Sequence, residues 1–167
     1  MENTSWSERI TEFYQRKEYR PVQVFILVNK NNEFLVVQSA KEQTIWSFPQ
    51  GGINADETLM ENMVRELQEE VGILNLDFES IYFAFHEAKV DFDSFRQGER
   101  GFIKGKYYFF TFAKYTGKKN LIFNPQEVIN IQWLTDQDVE LIFNNMNPEK
   151  RIIMEETRRI VKQLLTK

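Results

Sequence analysis

Cysteine is absent from this chain and histidine occurs once, as His86. The first absence excludes disulfides and thiol chemistry, without fixing the compartment. Together the two leave no set of soft ligands for zinc. Long apolar runs are missing too: the longest, residues 24–28, is five residues, against the ~20 that a membrane-spanning helix needs. The opening MENTSWSERI has neither the basic nor the apolar segment of a secretory leader. No internal repeat, low-complexity tract or linker interrupts the chain. A basic excess is also lacking, since the net charge is −4. That argues against long duplex DNA as a partner but leaves room for a locally basic phosphate site. These absences describe a soluble, cytoplasmic protein with no membrane segment.

What is present is ample core material: 42% of the 167 residues are apolar and 14% aromatic, enough for one domain with a buried interior. Ser5 or Ser7 can cap a helix carrying Ile10, Phe13 and Tyr14 on one side, ending before Tyr19-Arg20-Pro21. Residues 22–28 and 33–38 are strand-like and flank the turn Asn29-Lys30-Asn31-Asn32, which predicts a hairpin. Residues 78–87, 106–115 and 128–134 read as further strands. Thr135 caps a short helix, and Asn147-Pro148 opens a last one with Ile153, Ile160, Val161 and Leu164 roughly on one side. Its other side carries Arg151, Arg158, Arg159 and Lys162, best read as a solvated face. Residues 88–105 form the longest irregular piece. They mix Phe92, Phe95 and Phe102 with Lys89, Arg96, Arg100 and Lys104, a composition that either stacks a base and holds phosphates or folds its aromatics onto the core. His86, alone on an aromatic strand, is assigned no role.

The stretch WSFPQGGINADETLMENMVRELQEEVGI, residues 46–73, carries the chemistry. It reads as an extended segment, a Pro49-Gln50-Gly51-Gly52 loop, and a helix over about 57–71, with Asn54 and Glu57 as capping box and Gly72 as left-handed stop. At about 100° per residue, Met60, Met63, Val64, Leu67 and Val71 share one sector, and Glu66, Glu69 and Glu70 another. Three carboxylates at spacings of three and four lie within reach of each other. Like charges ~4 Å apart repel by roughly 4 kcal/mol at an effective dielectric near 20, so the cluster invites a cation. All-oxygen donors favour a hard divalent ion, Mg²⁺ or Mn²⁺ where a phosphate shares it.

Gly51, five residues, Glu57, seven residues, then Arg65-Glu66-Leu67-Gln68-Glu69-Glu70-Val71-Gly72-Ile73 resembles the Nudix box at every fixed position. A chance match at one position is on the order of 10⁻⁹ at average residue usage, which sets aside the reading of a merely solvated acidic helix. The resemblance implies an α/β fold, the Nudix α/β/α sandwich, with a mixed β-sheet and a loop-helix-loop metal site. Residues 19–167 would form that domain and residues 1–18 a helical extension. It further implies metal-dependent cleavage of a nucleoside diphosphate linked to another group. Glu66, Glu69 and Glu70 match the metal ligands, with the backbone carbonyl of Gln50 or Gly51 as a further one. Arg65 and Glu57 match the family's orienting pair. Glu127, a few residues ahead of the strand bearing Trp133, stands where polyphosphate-cleaving members carry a fourth acid, as ligand or general base. The catalytic set is then Glu66, Glu127, Arg65 and Glu57.

Outside the box, Trp46 to Asn54 is similar to the WxFPQGGIN segment of bacterial RNA pyrophosphohydrolases and related dinucleoside polyphosphate hydrolases. Arg20 matches an arginine near the substrate phosphates in that group. Lys106 and Gln50 are the other substrate-binding candidates. Four departures bear on the substrate: Gln38-Ser39 stands where the subgroup tends to carry an arginine pair, Asp56 replaces the usual glycine before Glu57, residues 88–105 match poorly, and the N-terminal helix is additional. The resemblance implies 5′-triphosphorylated RNA as substrate, with diadenosine polyphosphates, free nucleoside triphosphates, or a non-catalytic nucleotide- or RNA-binding role as alternatives.

Overall fold

A computed structural model describes residues 5–74, 77–92, 98–118, 120–144 and 146–166. The elements are α1 (Trp6–Arg16), β1 (Tyr19–Val28), β2 (Phe34–Ser39), β3 (Trp46–Ser47), β4 (Gln50–Gly52), α2 (Leu59–Val71), β5 (Phe78–Asp91), β6 (Gly105–Tyr115), β7 (Val128–Leu134), α3 (Asp136–Phe143) and α4 (Pro148–Leu165). β1 runs parallel to β6, from Tyr19 opposite Gly105 to Val28 opposite Lys114, and every other pairing is antiparallel. The sheet is mixed, as the resemblance implies.

β1 is buried from Pro21 to Val28 because both its faces are covered. Successive side chains of a strand point to opposite faces. Val22, Val24, Ile26 and Val28 therefore pack with Val139 and Phe143 of α3 and Met154 and Val161 of α4. Phe25 and Leu27 pack with Met63, Leu67 and Val71 of α2. One strand thus carries two cores, and the helices form outer layers around it. α1 lies on the α2 side, with Ile10 buried against Ile53 and Phe109. Its Trp6 Nε1 donates to the Glu57 carbonyl (2.9 Å), and its Tyr14 hydroxyl donates to the Ile53 carbonyl (2.6 Å). The N-terminal helix therefore braces both ends of the segment that leads into α2.

Polar groups cross this interior in a chain. Gln23 Nε2 donates to Thr111 Oγ1 (2.8 Å), Asn62 Nδ2 donates to Gln23 Oε1 (3.0 Å), and Arg65 Nη2 donates to Asn62 Oδ1 (2.8 Å). Gln23, Asn62 and Thr111 are fully buried. Buried polar groups are tolerated when partnered, and a partnered chain fixes register as packing alone does not.

Three expectations are corrected. The helix starts at Leu59, two residues late, because Thr58 and Glu61 form the reciprocal capping box; the Asn54–Glu57 bond exists but closes a turn before the helix. The packing face is narrower than the wheel suggests: Met60 and Val64 are exposed at 40% and 37%, while Asn62 takes a buried position in order to reach Gln23. β5 continues to Asp91, since Ala88 and Val90 alternate with Lys89 and Asp91 and the strand pairs with β6 as far as Gly105. On α4 the expected face is kept: Val161 is buried and Ile153 and Leu164 pack against the same core, with Met154 and Thr157 buried beside them.

No helix among the described residues is long and apolar enough to cross a membrane. Replacing Asn62 with leucine strands the Gln23 carbonyl oxygen and one Arg65 donor. We expect a loss of ~1–3 kcal/mol in unfolding free energy, read by urea denaturation; an unchanged midpoint would mean the buried chain adds nothing.

Candidate active site

The Pro49-Gln50-Gly51-Gly52 loop is stitched to β1: Val24 pairs with Gln50, Gln23 with Gly51 and Val22 with Gly52, and Phe25 N–H donates to the Pro49 carbonyl (2.8 Å). This holds the loop against α2 with little room. A Cβ on Gly51 would come 2.0 Å from the Glu66 carboxyl carbon, so glycine there is a requirement of close approach. Gly72 closes the helix in the left-handed conformation at φ 71°, as its position after the last apolar residue predicts.

Arg65 joins these parts. Its Nε donates to Glu57 Oε2 (2.6 Å) and its Nη2 to Glu57 Oε1 (2.9 Å) and to the Gly52 carbonyl (3.1 Å). Its Nη1 donates to Glu66 Oε1 (2.8 Å) and, more weakly, to Glu69 Oε2 (3.3 Å). The bond to Glu57 holds the Arg65 proton more firmly than usual. Burial alone would raise the Glu57 carboxyl, but its bonds to Arg65 and to the Asn54 N–H bring it below the ordinary range.

A cleft of about 350 Å³ opens beside this cluster, and Glu66, Glu69, Glu70 and Glu127 all line it. The four acids differ in setting. Glu69 and Glu127 are at solvent. Glu66 is pushed upward by burial, against the pull of Arg65. Glu70 is pushed up to about 8, first by removal from water and then by the charges of Glu66 and Glu127, with the Gln50 backbone N–H opposing. Its Oε2 is buried with no hydrogen-bond partner. Such an orphaned oxygen calls for a proton or a cation, and the donors around it are all oxygen. Among the described residues no three acidic or histidine side chains already close on one point. Glu66 and Glu69 each lend an oxygen to Arg65, and Glu69 and Glu127 are exposed. The donor set fits a hard divalent cation.

Arg20 and Lys106 line the same cleft and face each other directly in the parallel β1–β6 pair. Arg20 lies across Gly52, where a Cβ would fall 2.3 Å from its Nη2. Sequence reasoning missed what holds these cations: Glu99 accepts from Arg20 Nη1 at 2.7 Å and lies 3.6 Å from Lys106 Nζ. Lys41, also in the cleft, was missed as well, whereas Arg100, named among the basic residues of the 88–105 piece, does line it. Asp56 and Glu99 look alike in a sequence, and only the fold brings the second to Arg20.

The remaining candidates lie elsewhere. Phe102 is buried edge-on against Tyr14, the core alternative of the two weighed for these aromatics, whereas Phe95 and Arg96 lie outside the described residues. Lys104 pairs with Glu18 and Lys89 lies over Tyr19, so of the described cations in the 88–105 piece Arg100 is the one lining the cleft. On α4, Arg158 and Lys162 both pair with Asp136, Arg151 with Glu155 and Arg159 with Glu156, a self-paired face. His86 stacks on Phe110, on the sheet face covered by α3 and α4.

A three-layer fold that delivers a glycine loop and a glutamate-bearing helix to one acidic cleft defines a Nudix-type domain. The NUDIX domain family profile matches residues 18–157, and the chain belongs to the Nudix family. It is 41% identical over 63 residues to an RNA pyrophosphohydrolase of Francisella tularensis subsp. mediasiatica; the match takes in 38% of this chain and 40% of that protein. Among solved structures, it resembles the E. coli dihydroneopterin triphosphate pyrophosphohydrolase (TM-score 0.64, 14% identity, 75% of this chain and 88% of that one). It also resembles a C. elegans Ap4A hydrolase (TM-score 0.63, 17% identity, 87% of this chain and 98% of that one). At those identities the structural likeness concerns the fold.

The raised acids set a pH dependence. A carboxyl raised in the folded state stabilises it fully below the unfolded value, and that contribution is lost as pH rises through the folded value. Glu70 places the window between 4.5 and about 8, with Glu66 acting in the same direction and Glu57, lowered, in the opposite one at acid pH. With a chelator present, the melting midpoint should fall from pH 6 to pH 8.5, and less steeply in Glu70→Gln. A midpoint that rises over this interval would contradict the assignment.

Proposed function

We propose that this chain is a metal-dependent pyrophosphohydrolase, and that its substrate is 5′-triphosphorylated RNA. The observation that carries the reading is that one cleft holds both the acids of α2 with Glu127 and the cation pair Arg20–Lys106. The first group suits cations, the second phosphate oxygens. Mg²⁺ or Mn²⁺ held by Glu66, Glu69, Glu70, Glu127 and the Gly51 carbonyl would offset phosphate charge and make a nucleophile of water near neutral pH.

The chain's own residues do the rest. Glu127, on the loop ahead of β7 and at solvent, takes the proton of the attacking water. The water oxygen bonds to phosphorus as the anhydride P–O bond breaks, and its electron pair leaves with the released phosphate or pyrophosphate. Arg20 and Lys106 hold phosphate oxygens, with Gln50 beside them at the loop. Arg65 and Glu57 act through position, by fixing the loop carbonyls relative to the acids of α2.

RNA is preferred because the curated relative is an RNA pyrophosphohydrolase and because Lys41 and Arg100 add positive charge along the same cleft. Dinucleoside polyphosphates are the second reading. Gln38 and Ser39 are turned into a local turn, Gln38 Nε2 to the Gln43 carbonyl and Ser39 Oγ accepting from the Lys41 N–H, and add no cation of their own. The proposed site of action is the cytoplasm.

Turnover of a short 5′-triphosphorylated RNA, diadenosine tetraphosphate and free nucleoside triphosphates, side by side with Mg²⁺ and Mn²⁺, tests this. We expect RNA to be preferred, and Glu70→Gln to lower kcat on the order of 10²-fold while the fold is kept. Preference for the dinucleotide would install the second reading. No turnover by a protein that still binds the metal would leave a non-catalytic module.

A further inference from the structure

Glu99 sits at the base of a tight turn. Its N–H donates to the Phe102 carbonyl (3.0 Å) and its carbonyl accepts from the Phe102 N–H (2.9 Å), while Arg100 (φ 49°) and Gly101 (φ 88°) turn the corner in left-handed conformation. Phe102 anchors the turn in the core beside Tyr14 and Lys17. Ile103 N–H donates to the Lys17 carbonyl and Lys104 N–H to the Glu18 carbonyl, so the stem is tied to the end of α1. The turn is a fixed platform that presents the Glu99 side chain to the cleft cations.

That side chain reaches both cations at once, one oxygen 2.7 Å from Arg20 Nη1 and the other 3.6 Å from Lys106 Nζ. All three side chains are about one-fifth exposed, shielded enough for the pair to matter and open enough to be exchanged. A carboxylate and a phosphate oxygen make the same hydrogen bonds to guanidinium and ammonium groups. Lys150, at the start of α4, is close enough to feel the charge of Lys106.

We propose that Glu99 is a specificity-determining residue: an internal anion seated on the Arg20–Lys106 pair, which a substrate phosphate must displace to bind. This rests on reading the cleft as a polyphosphate site. Exchange sets a threshold. A lone phosphate gains little over the carboxylate it replaces, whereas a chain of phosphates, anchored elsewhere in the cleft, displaces it. The same carboxylate returns when the product leaves.

The test is binding of methylenediphosphonate, an uncleavable pyrophosphate analogue, in Mg²⁺ by calorimetry. Glu99→Gln keeps the shape of the side chain and removes its charge. We expect it to bind the probe roughly fivefold or more tightly, with a steeper dependence on salt, and to lower the KM for the cleaved substrate without raising kcat. Lys106→Met should weaken binding more in the Glu99→Gln background than in the wild type, where Glu99 already occupies that lysine. Equal affinities for wild type and Glu99→Gln, or weaker binding by Glu99→Gln, would overturn the proposal while leaving the polyphosphate reading standing. Failure of every variant to bind the probe would instead remove that reading, and this one with it. Glu99→Ala and melting midpoints separate a charge effect from a folding defect.

Discussion

The guanidinium of Arg65 ties the loop, the helix and the sheet into one body. Its donors reach Glu57 before the helix, the Gly52 carbonyl in the loop, Asn62 one turn back, and Glu66 and Glu69 on the acidic side. A rigid planar fork with five N–H groups can serve that many acceptors at fixed angles, and an ammonium cannot. Through Asn62 the fork is coupled to Gln23 and Thr111, so the position of the loop is referred to the centre of the sheet. The pattern works in the other direction as well. Gly51 packs against Glu66 with no space for a Cβ, which fixes the loop at a second point.

Against this rigid frame, the electrostatics of the cleft are uneven. Three of its cations have carboxylate partners: Arg65 bonds Glu57, and Arg20 and Lys106 share Glu99. One acid has none for its inner oxygen, and Glu70 accordingly holds its proton up to about 8. Burial of a charge without a partner costs several kcal/mol in an interior of low dielectric, and proteins tolerate that mostly where a ligand relieves it. Nudix hydrolases use divalent metal ions, and Glu70 is where such an ion would relieve the largest cost. The strain lies at the position where the box requires a glutamate.

The parts legible in the sequence were those written in local spacing. Gly51, Glu57, Arg65, the acids of α2 and Gly72 lie within one short stretch, and periodicity and capping chemistry suffice to set them on a loop and a helix. The hairpin after β1 and the cap residues Ser5, Thr135 and Asn147 are local in the same sense. What escaped was created by pairing across distance. Arg20 and Lys106 were each named as candidates, but they are 86 positions apart, and their adjacency arises only because β1 and β6 run parallel in register. Glu99 meets Arg20 only after Phe102 has anchored its turn on α1. Asn62 was assigned to neither face of α2, because the wheel was read from its apolar and acidic residues alone, yet it is fully buried. A signal was available in Gln23, a lone amide inside the apolar run of a central strand, since such a group must find a buried partner.

The arrangement gives an order to assembly in the cleft. Before a divalent ion binds, the acids of α2 repel any polyanion, and Glu99 already satisfies the cations that would receive one. Both obstacles are electrostatic, and each yields to a different event. A divalent ion held there would offset the acids and the cost of burying Glu70, and on the exchange proposed above a phosphate chain would take the seat of Glu99 with more contacts than one carboxylate can make. Placing the competing anion on a turn held by a buried phenylalanine, instead of on a mobile lid, confines the exchange to a single side chain. The backbone geometry set by Arg65, Gly51 and Gln23 is left undisturbed while it happens. On the reading proposed here, the rigid and the exchangeable parts of the site are built from separate residues, so substrate preference can vary through residues such as Glu99, Gln38 and Ser39 without loss of the frame on which hydrolysis depends.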